Sequence, residues 1–378
     1  MKQEKTGPLF IVGGADNARD IYEHFVRACS SKNEKPTLGI ISTASELPRE
    51  SYEKISKRLS SAGAGEIIHL PLSSLDESLK GKENDPEVAR TISGCQGIWF
   101  TGGDQSRTYT CLVPEGKKSL CLQALWTLYE QGGALGGTSA GAAIMSDPMM
   151  YGGTSLGCFG GIPGQEELQI GPGLGFYPDG LVDQHFDARG RLVRLCTALK
   201  KTGHTIGFGV SEDTAMIVNG PKIQVAGKGG VYIVRVLDEG PYPYELSYIE
   251  PGDEYNRDTD LCSFPQKNET WGDESLDTHR PVASGVLSPH GTLRDFLGRE
   301  LLDNDFDNLW KQGDLGYVRS FLVGDGGTGK PEQPMPGFEL RFYNNIKTSR
   351  GYYSSEGSIS FQKVGFSFHP VTLTPNNP

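Results

Sequence analysis

The first half of the chain alternates short, continuously apolar runs with longer segments whose apolar residues recur every three or four positions. Leu9–Val12 is apolar throughout and ends in Gly13-Gly14. Residues 17–29 place Ile21, Phe25 and Cys29 on one helical face, and Leu38–Ile41 is a second apolar run closing in Ser42-Thr43-Ala44-Ser45. Tyr52, Ile55 and Leu59 mark another helix, and residues 67–70 a third run. Asp85-Pro86 has the cap-then-proline order that opens a helix, and Gly94 stops it. A fourth run, residues 97–101, leads into Gly102-Gly103-Asp104-Gln105, and a helix over 117–130 delivers the chain to a glycine-rich stretch at 136–143. Runs this short are strands, and runs apolar on both faces lie in a parallel sheet covered by helices on each side. The pattern therefore predicts a doubly wound, mostly parallel α/β fold.

Beyond a strand over 231–237 the pattern changes. Residues 241–281 are turn-rich and polar, and residues 291–312 form an amphipathic helix through Leu293, Phe296, Leu297 and Leu301. Alternation then returns around Phe338, Leu340 and Phe342, around Ile359 and Phe361, and around Phe366 and Phe368. We expect a catalytic domain over 1–240 and an accessory, β-rich C-terminal region over 241–378.

Composition narrows the partners. The 378 residues carry 36 Lys and Arg against 47 Asp and Glu, a formal charge of −11, with no polybasic segment. Nucleic acid and anionic membrane surfaces are thereby excluded as expected partners. No run approaches the roughly 20 apolar residues of a membrane span, and residues 1–8 lack a signal-peptide core. A soluble, cytoplasmic protein is expected, or a secreted one if a leader has been removed. The seven cysteines are scattered without a CxxC pair, which suggests neither a disulfide framework nor a zinc site.

The chemistry centres on Gly137-Thr138-Ser139-Ala140-Gly141, the Gly-x-Ser-x-Gly spelling of a nucleophile elbow. Such a turn lifts the serine above the sheet and aims the following amide, that of Ala140, at a developing oxyanion. Gly103, after the fourth strand, is the best second donor, because a glycine lets its N–H approach closely. Of seven histidines, His185 directly follows an apolar strand and precedes Arg189, Arg191 and Arg194, with Arg191 and Arg194 on one helical face. This makes His185 the candidate base and the arginines candidates for a carboxylate-bearing substrate.

Four segments together resemble the cyanophycinases, which group with the aspartyl dipeptidases among serine peptidases: residues 100–105 (FTGGDQ), 137–143 (GTSAGAA), 183–186 (DQHF) with the three arginines, and 209–215 (GVSEDTA). The resemblance implies an exopeptidase that releases β-Asp-Arg dipeptides from cyanophycin, a polyaspartate carrying arginine on each side chain. It implies Ser139 as nucleophile, His185 as base, and Gln105, Asp183, Gln184, Arg189, Arg191, Arg194 and Glu212 as substrate contacts, with the arginines on carboxylates and Glu212 on the guanidinium. No metal or organic cofactor is required, and a homodimer is compatible with it. The family's third triad member is an acid soon after the nucleophile, yet residues 151–161 contain no Asp or Glu. Glu166, which shares parity with Leu168 and Ile170, is the choice made here for orienting His185. Two rival readings remain: an aspartyl or isoaspartyl dipeptidase acting on short peptides, and a non-catalytic polymer-binding homologue motivated by the missing acid and by the added C-terminal region.

Two further motifs are set aside. Residues 324–330 satisfy Gly-x-x-x-x-Gly-Lys, but Pro331 stands where a phosphate loop has Ser or Thr. Asn268-Glu269-Thr270 spells a glycosylation acceptor that a cytoplasmic setting would leave unused.

Overall fold

The computed structural model describes residues 6–15, 17–30, 34–162, 164–240, 242–269, 292–295, 297, 317–324, 334–345 and 348–373. The alternation read from the sequence appears as β1 (Leu9–Val12), α1 (Arg19–Cys29), β2 (Leu38–Ile41), α2 (Pro48–Ser61), β3 (Ile67–His69), α3 (Pro86–Gly94), β4 (Gly97–Phe100), α4 (Gln105–Leu112), α5 (Leu120–Glu130), β5 (Ala134–Thr138) and α6 (Ala140–Ala143). Local chemistry sets several bounds. Asp85 accepts the Glu87 amide at 2.9 Å to cap α3, and Ser119 caps α5 by accepting from the Leu122 amide at 3.1 Å. The expected helix over 117–130 thus begins three residues later. The periodicity missed α4, whose signal is Asp104 capping the Ser106 amide at 2.8 Å.

β1, β5, β4, β2 and β3 are neighbours in that order, all parallel. Helices cover both faces, and alternate strand residues serve each. Phe10 and Val12 pack with Phe25, Ile55 and Leu59 of α1 and α2, whereas Leu9 and Ile11 pack with Val88, Ile92 and Leu125 of α3 and α5. This is the doubly wound arrangement, with the strands' carboxyl ends on one rim.

The chain then forms β6 (Met149–Gly152), β7 (Gln169–Gly171), β8 (Leu181–Asp183), α7 (Leu192–Thr202), β9 (Ile206–Val210), β10 (Thr214–Asn219), β11 (Lys222–Gly227) and β12 (Val231–Val236). β10 and β11 extend the first sheet antiparallel to β1, while β8, β9 and β12 begin a second sheet. Phe208, Val210, Val231 and Ile233 of this second sheet join the core of the first, and Tyr232 and Val234 face away, packing with α7.

The C-terminal segments continue these sheets. β13 (Tyr244–Ile249) pairs with β12, and β20 (Ile359–Leu373) with β13, while β14 (Glu254–Asn256) and β15 (Leu261–Ser263) edge the first sheet beside β11. β16 (Asn268–Glu269), α8 (Thr292–Asp295), β17 (Tyr317–Gly324), β18 (Met335–Asn344) and β19 (Arg350–Tyr353) complete the described elements. The strands expected around Phe361 and Phe366 are one long strand, β20. Most of the helix expected over 291–312, and residues 325–330 of the phosphate-loop spelling, lie outside the described residues; so does Thr270. Lys267, with its side chain 2 % exposed, ties the region together through Asp253 at 2.7 Å, Glu250 at 3.2 Å and the Ser360 hydroxyl at 2.7 Å. Among the described residues no helix is long and apolar enough to cross a membrane.

Candidate active site

β5 delivers the chain into Ser139, whose φ of 54° and ψ of −111° belong to neither strand nor helix. The flanking glycines follow from packing. A Cβ at Gly137 would lie 2.2 Å from the Gly141 carbonyl oxygen, and one at Gly141 would lie 2.5 Å from that of Phe100. The turn is anchored by the Ser139 amide donating to Val12 at 3.0 Å and by the Ser139 carbonyl accepting from Ala142 at 2.9 Å. Backbone strain of this sort persists only where surrounding structure holds it, and here it projects the hydroxyl beyond the carboxyl ends of the strands.

Three strand ends converge on that hydroxyl. His185 lies just past β8 with φ of 48°, and its amide donates to the Gly13 carbonyl at 2.7 Å. Its Nε2 lies 2.9 Å from Ser139 Oγ. Its Nδ1 lies 2.5 Å from Oε1 of Glu212, in the turn between β9 and β10. An ionised carboxylate only accepts, so the network places the ring proton on Nδ1 and leaves the Nε2 lone pair facing the serine hydroxyl. Burial holds the His185 pKa below its ordinary 6.5; the Glu212 hydrogen bond and charge oppose this, and Arg189 and Arg191 reinforce it. The imidazole is therefore neutral near pH 7, the state a general base requires.

Gly14 supports the ring directly. It has φ of +108°, and a Cβ there would fall 2.1 Å from His185 Cε1. The turn carrying Gly14 is tied on both sides, Gly13 donating to the Thr214 carbonyl at 3.0 Å and Asp213 donating to the Gly14 carbonyl at 2.8 Å.

Glu166, expected to orient His185, is elsewhere. β7 starts only at Gln169, so the assumed strand parity does not reach position 166. The Glu166 side chain is exposed and accepts from Gln169 Nε2 at 3.1 Å. Glu212, expected at a substrate guanidinium, occupies the position on Nδ1 instead. The carboxylate that meets the His185 ring thus lies 27 residues after the histidine rather than shortly after the serine.

The arginines separate into two kinds. Arg194 is 3 % exposed and grips Asp183 with two nitrogens, Nε at 3.0 Å and Nη2, while Nη1 donates to the Gly153 carbonyl at 2.9 Å. Arg191 is also buried, donating to the Gln184 carbonyl at 2.6 Å and lying 3.6 Å from Asp183; burial lowers its pKa to about 10 despite that carboxylate. Both guanidiniums are thus directed at the same buried carboxylate and at backbone carbonyls. Where a substrate clamp was expected, the contacts of Arg191 and Arg194 are to Asp183 and to the carbonyls of Gln184 and Gly153, at the strand end that carries His185. Arg189 is exposed, on the same turn and within electrostatic reach of the ring.

The remaining expected residues lie in the walls. Gln105 is buried, its amide donating to the Met150 carbonyl at 2.9 Å, and Gln184 is buried with its Oε1 unpartnered. Gly102 borders the nucleophile, since a Cβ there would lie 3.3 Å from Ser139 Cβ. Among the described residues, the amides of Gly103 and Ala140 are not consumed by the turn and loop hydrogen bonds around them. No group of three or more His, Cys, Asp or Glu in the described residues is placed to hold a metal ion.

Similarity to known proteins identifies the family. The profile described as peptidase family S51 matches residues 9–226. A cyanophycinase of Geminocystis herdmanii is 31% identical over 277 residues, covering 68% of this chain and 97% of that protein. Cyanophycinases of Synechococcus elongatus and Trichormus variabilis are 31% and 32% identical, covering 66% and 60% of this chain and 75% and 72% of theirs. Among solved structures, a peptidase from an acI-B1 actinobacterium is similar at 21% identity and a TM-score of 0.49, over 67% of this chain and 98% of its own. The chain belongs to peptidase family S51 and is a serine-type peptidase of the cyanophycinase type.

Proposed function

We propose that this peptidase hydrolyses cyanophycin to β-Asp-Arg dipeptides through an acyl-enzyme on Ser139. The observation that carries the reading is the unbroken relay from Ser139 Oγ through the His185 ring to Glu212. His185 Nε2 takes the hydroxyl proton as Oγ attacks the scissile carbonyl, and Glu212 stabilises the imidazolium that results. The amides of Gly103 and Ala140 receive the oxyanion. His185 then returns the proton to the departing amine, and a water activated by the same nitrogen hydrolyses the ester. Arg189 faces the substrate's aspartyl carboxylates from the rim. The carboxylate of Glu212 on His185 Nδ1 weakens one of the two motives for a decayed, polymer-binding homologue, the other being the added C-terminal region.

The test is product identification. Incubation with insoluble cyanophycin is expected to release β-Asp-Arg, identified by mass, from wild type and not from Ser139→Ala. Release of nothing from the polymer, with turnover of short β-aspartyl peptides, would replace this reading with the dipeptidase one.

A further inference from the structure

A cleft of about 670 Å³ opens beside the oxyanion loop, lined by Gly103, Asp104 and Arg107 on one side and by Glu46, Leu47, Glu50 and Lys54 of the α2 entry on the other. That volume is in the range of small-molecule sites. Its position links it to catalysis, because Gly103 follows the residue that borders Ser139 and is itself braced from behind by the 42–45 loop. A Cβ at Gly103 would fall 2.1 Å from the Ala44 carbonyl oxygen.

Three carboxylates and two cations line the cleft, a net charge of 2 − 3 = −1. Two of the acids have work to do within the protein. Glu46 accepts from Arg107 at 2.8 Å, and Asp104 caps α4 through the Ser106 amide at 2.8 Å and hydroxyl at 2.6 Å. Glu50 is exposed on the cleft wall, with no hydrogen bond or ion pair among the described residues. It stands in the first turn of α2. Leu47, three residues earlier on the same side, is 58 % exposed and supplies an apolar ledge beside that charge. An apolar ledge leading to an unpaired carboxylate complements a long side chain with an aliphatic stem and a cationic head.

We propose that this cleft is a specificity subsite for a guanidinium-bearing side chain of the substrate, with Glu50 receiving the guanidinium and Leu47 its stem. The inference rests on the function proposed above, since it names how the arginine of that substrate is recognised once Glu212 is committed to His185. Glu50 then acts on substrate choice and not on the bond-making step.

The experiment separates the two claims. Binding is measured calorimetrically on Ser139→Ala with three β-aspartyl peptides that carry arginine, lysine or neutral citrulline. Arginine is expected to bind tightest, and adding Glu50→Gln to weaken it about tenfold while citrulline binding stays within twofold; a charge-assisted hydrogen bond of about 1.5 kcal/mol corresponds to that factor. Leu47→Ser is expected to weaken arginine and citrulline peptides alike. Lysine binding as tightly as arginine would redefine the subsite as one for any cation and overturn guanidinium selectivity. Equal losses for arginine and citrulline in Glu50→Gln, no loss, or no arginine-peptide binding would overturn the subsite. Wild-type turnover of cyanophycin alongside such a result would leave the proposed function standing. Glu50-dependent binding without turnover would instead sink the proposed function and keep the subsite.

Discussion

Replacing Gly14 by Ala tests whether the His185 ring is held in place by the turn that crosses it. The new Cβ would lie 2.1 Å from Cε1 of the ring. Carbon atoms rest about 3.5 Å apart, so ring and turn must separate by about 1.4 Å. The turn cannot readily retreat, because Gly13 and Gly14 are held by Thr214, Asp213 and the His185 amide. The ring must therefore shift, at the expense of the 2.9 Å contact to Ser139 and the 2.5 Å contact to Glu212. Misplacement of a reacting group by about 1 Å is worth on the order of a hundredfold in rate. Ala at this φ also costs about 1 to 2 kcal/mol of stability, and that cost has to be separated from the catalytic one. Gly63 provides the control, with φ of +102° and open space where its Cβ would go. Steady-state kinetics and thermal melts of both variants decide the matter. Gly14→Ala is expected to lose about a hundredfold in kcat/KM, whereas Gly63→Ala should melt earlier with unchanged kinetics. If Gly14→Ala keeps more than a third of wild-type activity, the ring is not positioned in this way.

Other expectations follow from the same geometry. With the His185 pKa held below 6.5 mainly by burial, kcat/KM should stay level as pH falls through 6.5 and decline only below it; Glu212→Gln, which removes a contribution that raises the pKa, should move the decline to still lower pH, and a midpoint above 6.5 would contradict the assignment. Arg194→Met, which removes the cation gripping buried Asp183, should destabilise the protein by about 3 to 5 kcal/mol in denaturant titration, while exposed Arg189→Gln should raise KM with stability unchanged; the reverse pattern would restore Arg194 to substrate binding. Lys267→Met would leave buried Asp253 without its cation and should cost a similar amount of stability, an effect that a melt unchanged within 1 °C would exclude.

The parallel sheet was legible because each strand is short, apolar on both faces and punctuated by a turn: Leu9–Val12, Leu38–Ile41 and residues 97–100 read as strands from four residues each. Ser139 and His185 were legible for a related reason, as each ends a strand in a distinctive turn. The acid was harder to assign, because a partner for His185 is chosen by which strand ends meet in space. Glu166 was reached by counting parity along a strand that begins three residues later, whereas Glu212 lies in the turn just past β9, the strand paired with β8. Its signal was the acidic pair Glu212-Asp213 one residue past an apolar strand. The arginines misled through their spacing. Helical periodicity put Arg191 and Arg194 on one face but could not say that the face is inward, where Asp183 waits. Gly14 gave no sign beyond being a glycine after a strand, since its demand comes from a ring 171 residues away in the chain.

The most direct test of the account is the rate at which an aspartyl fluorophosphonate labels the enzyme, followed by intact mass and mapped by peptide digestion. Wild type should take up one equivalent on Ser139, and Ser139→Ala none. Glu212→Gln should slow labelling by roughly a hundred- to ten-thousandfold, because the imidazole loses the carboxylate that holds its proton on Nδ1. Glu166→Gln should label at the wild-type rate. An adduct on any other residue, or labelling of Glu212→Gln as fast as wild type, would contradict the Ser139–His185–Glu212 relay.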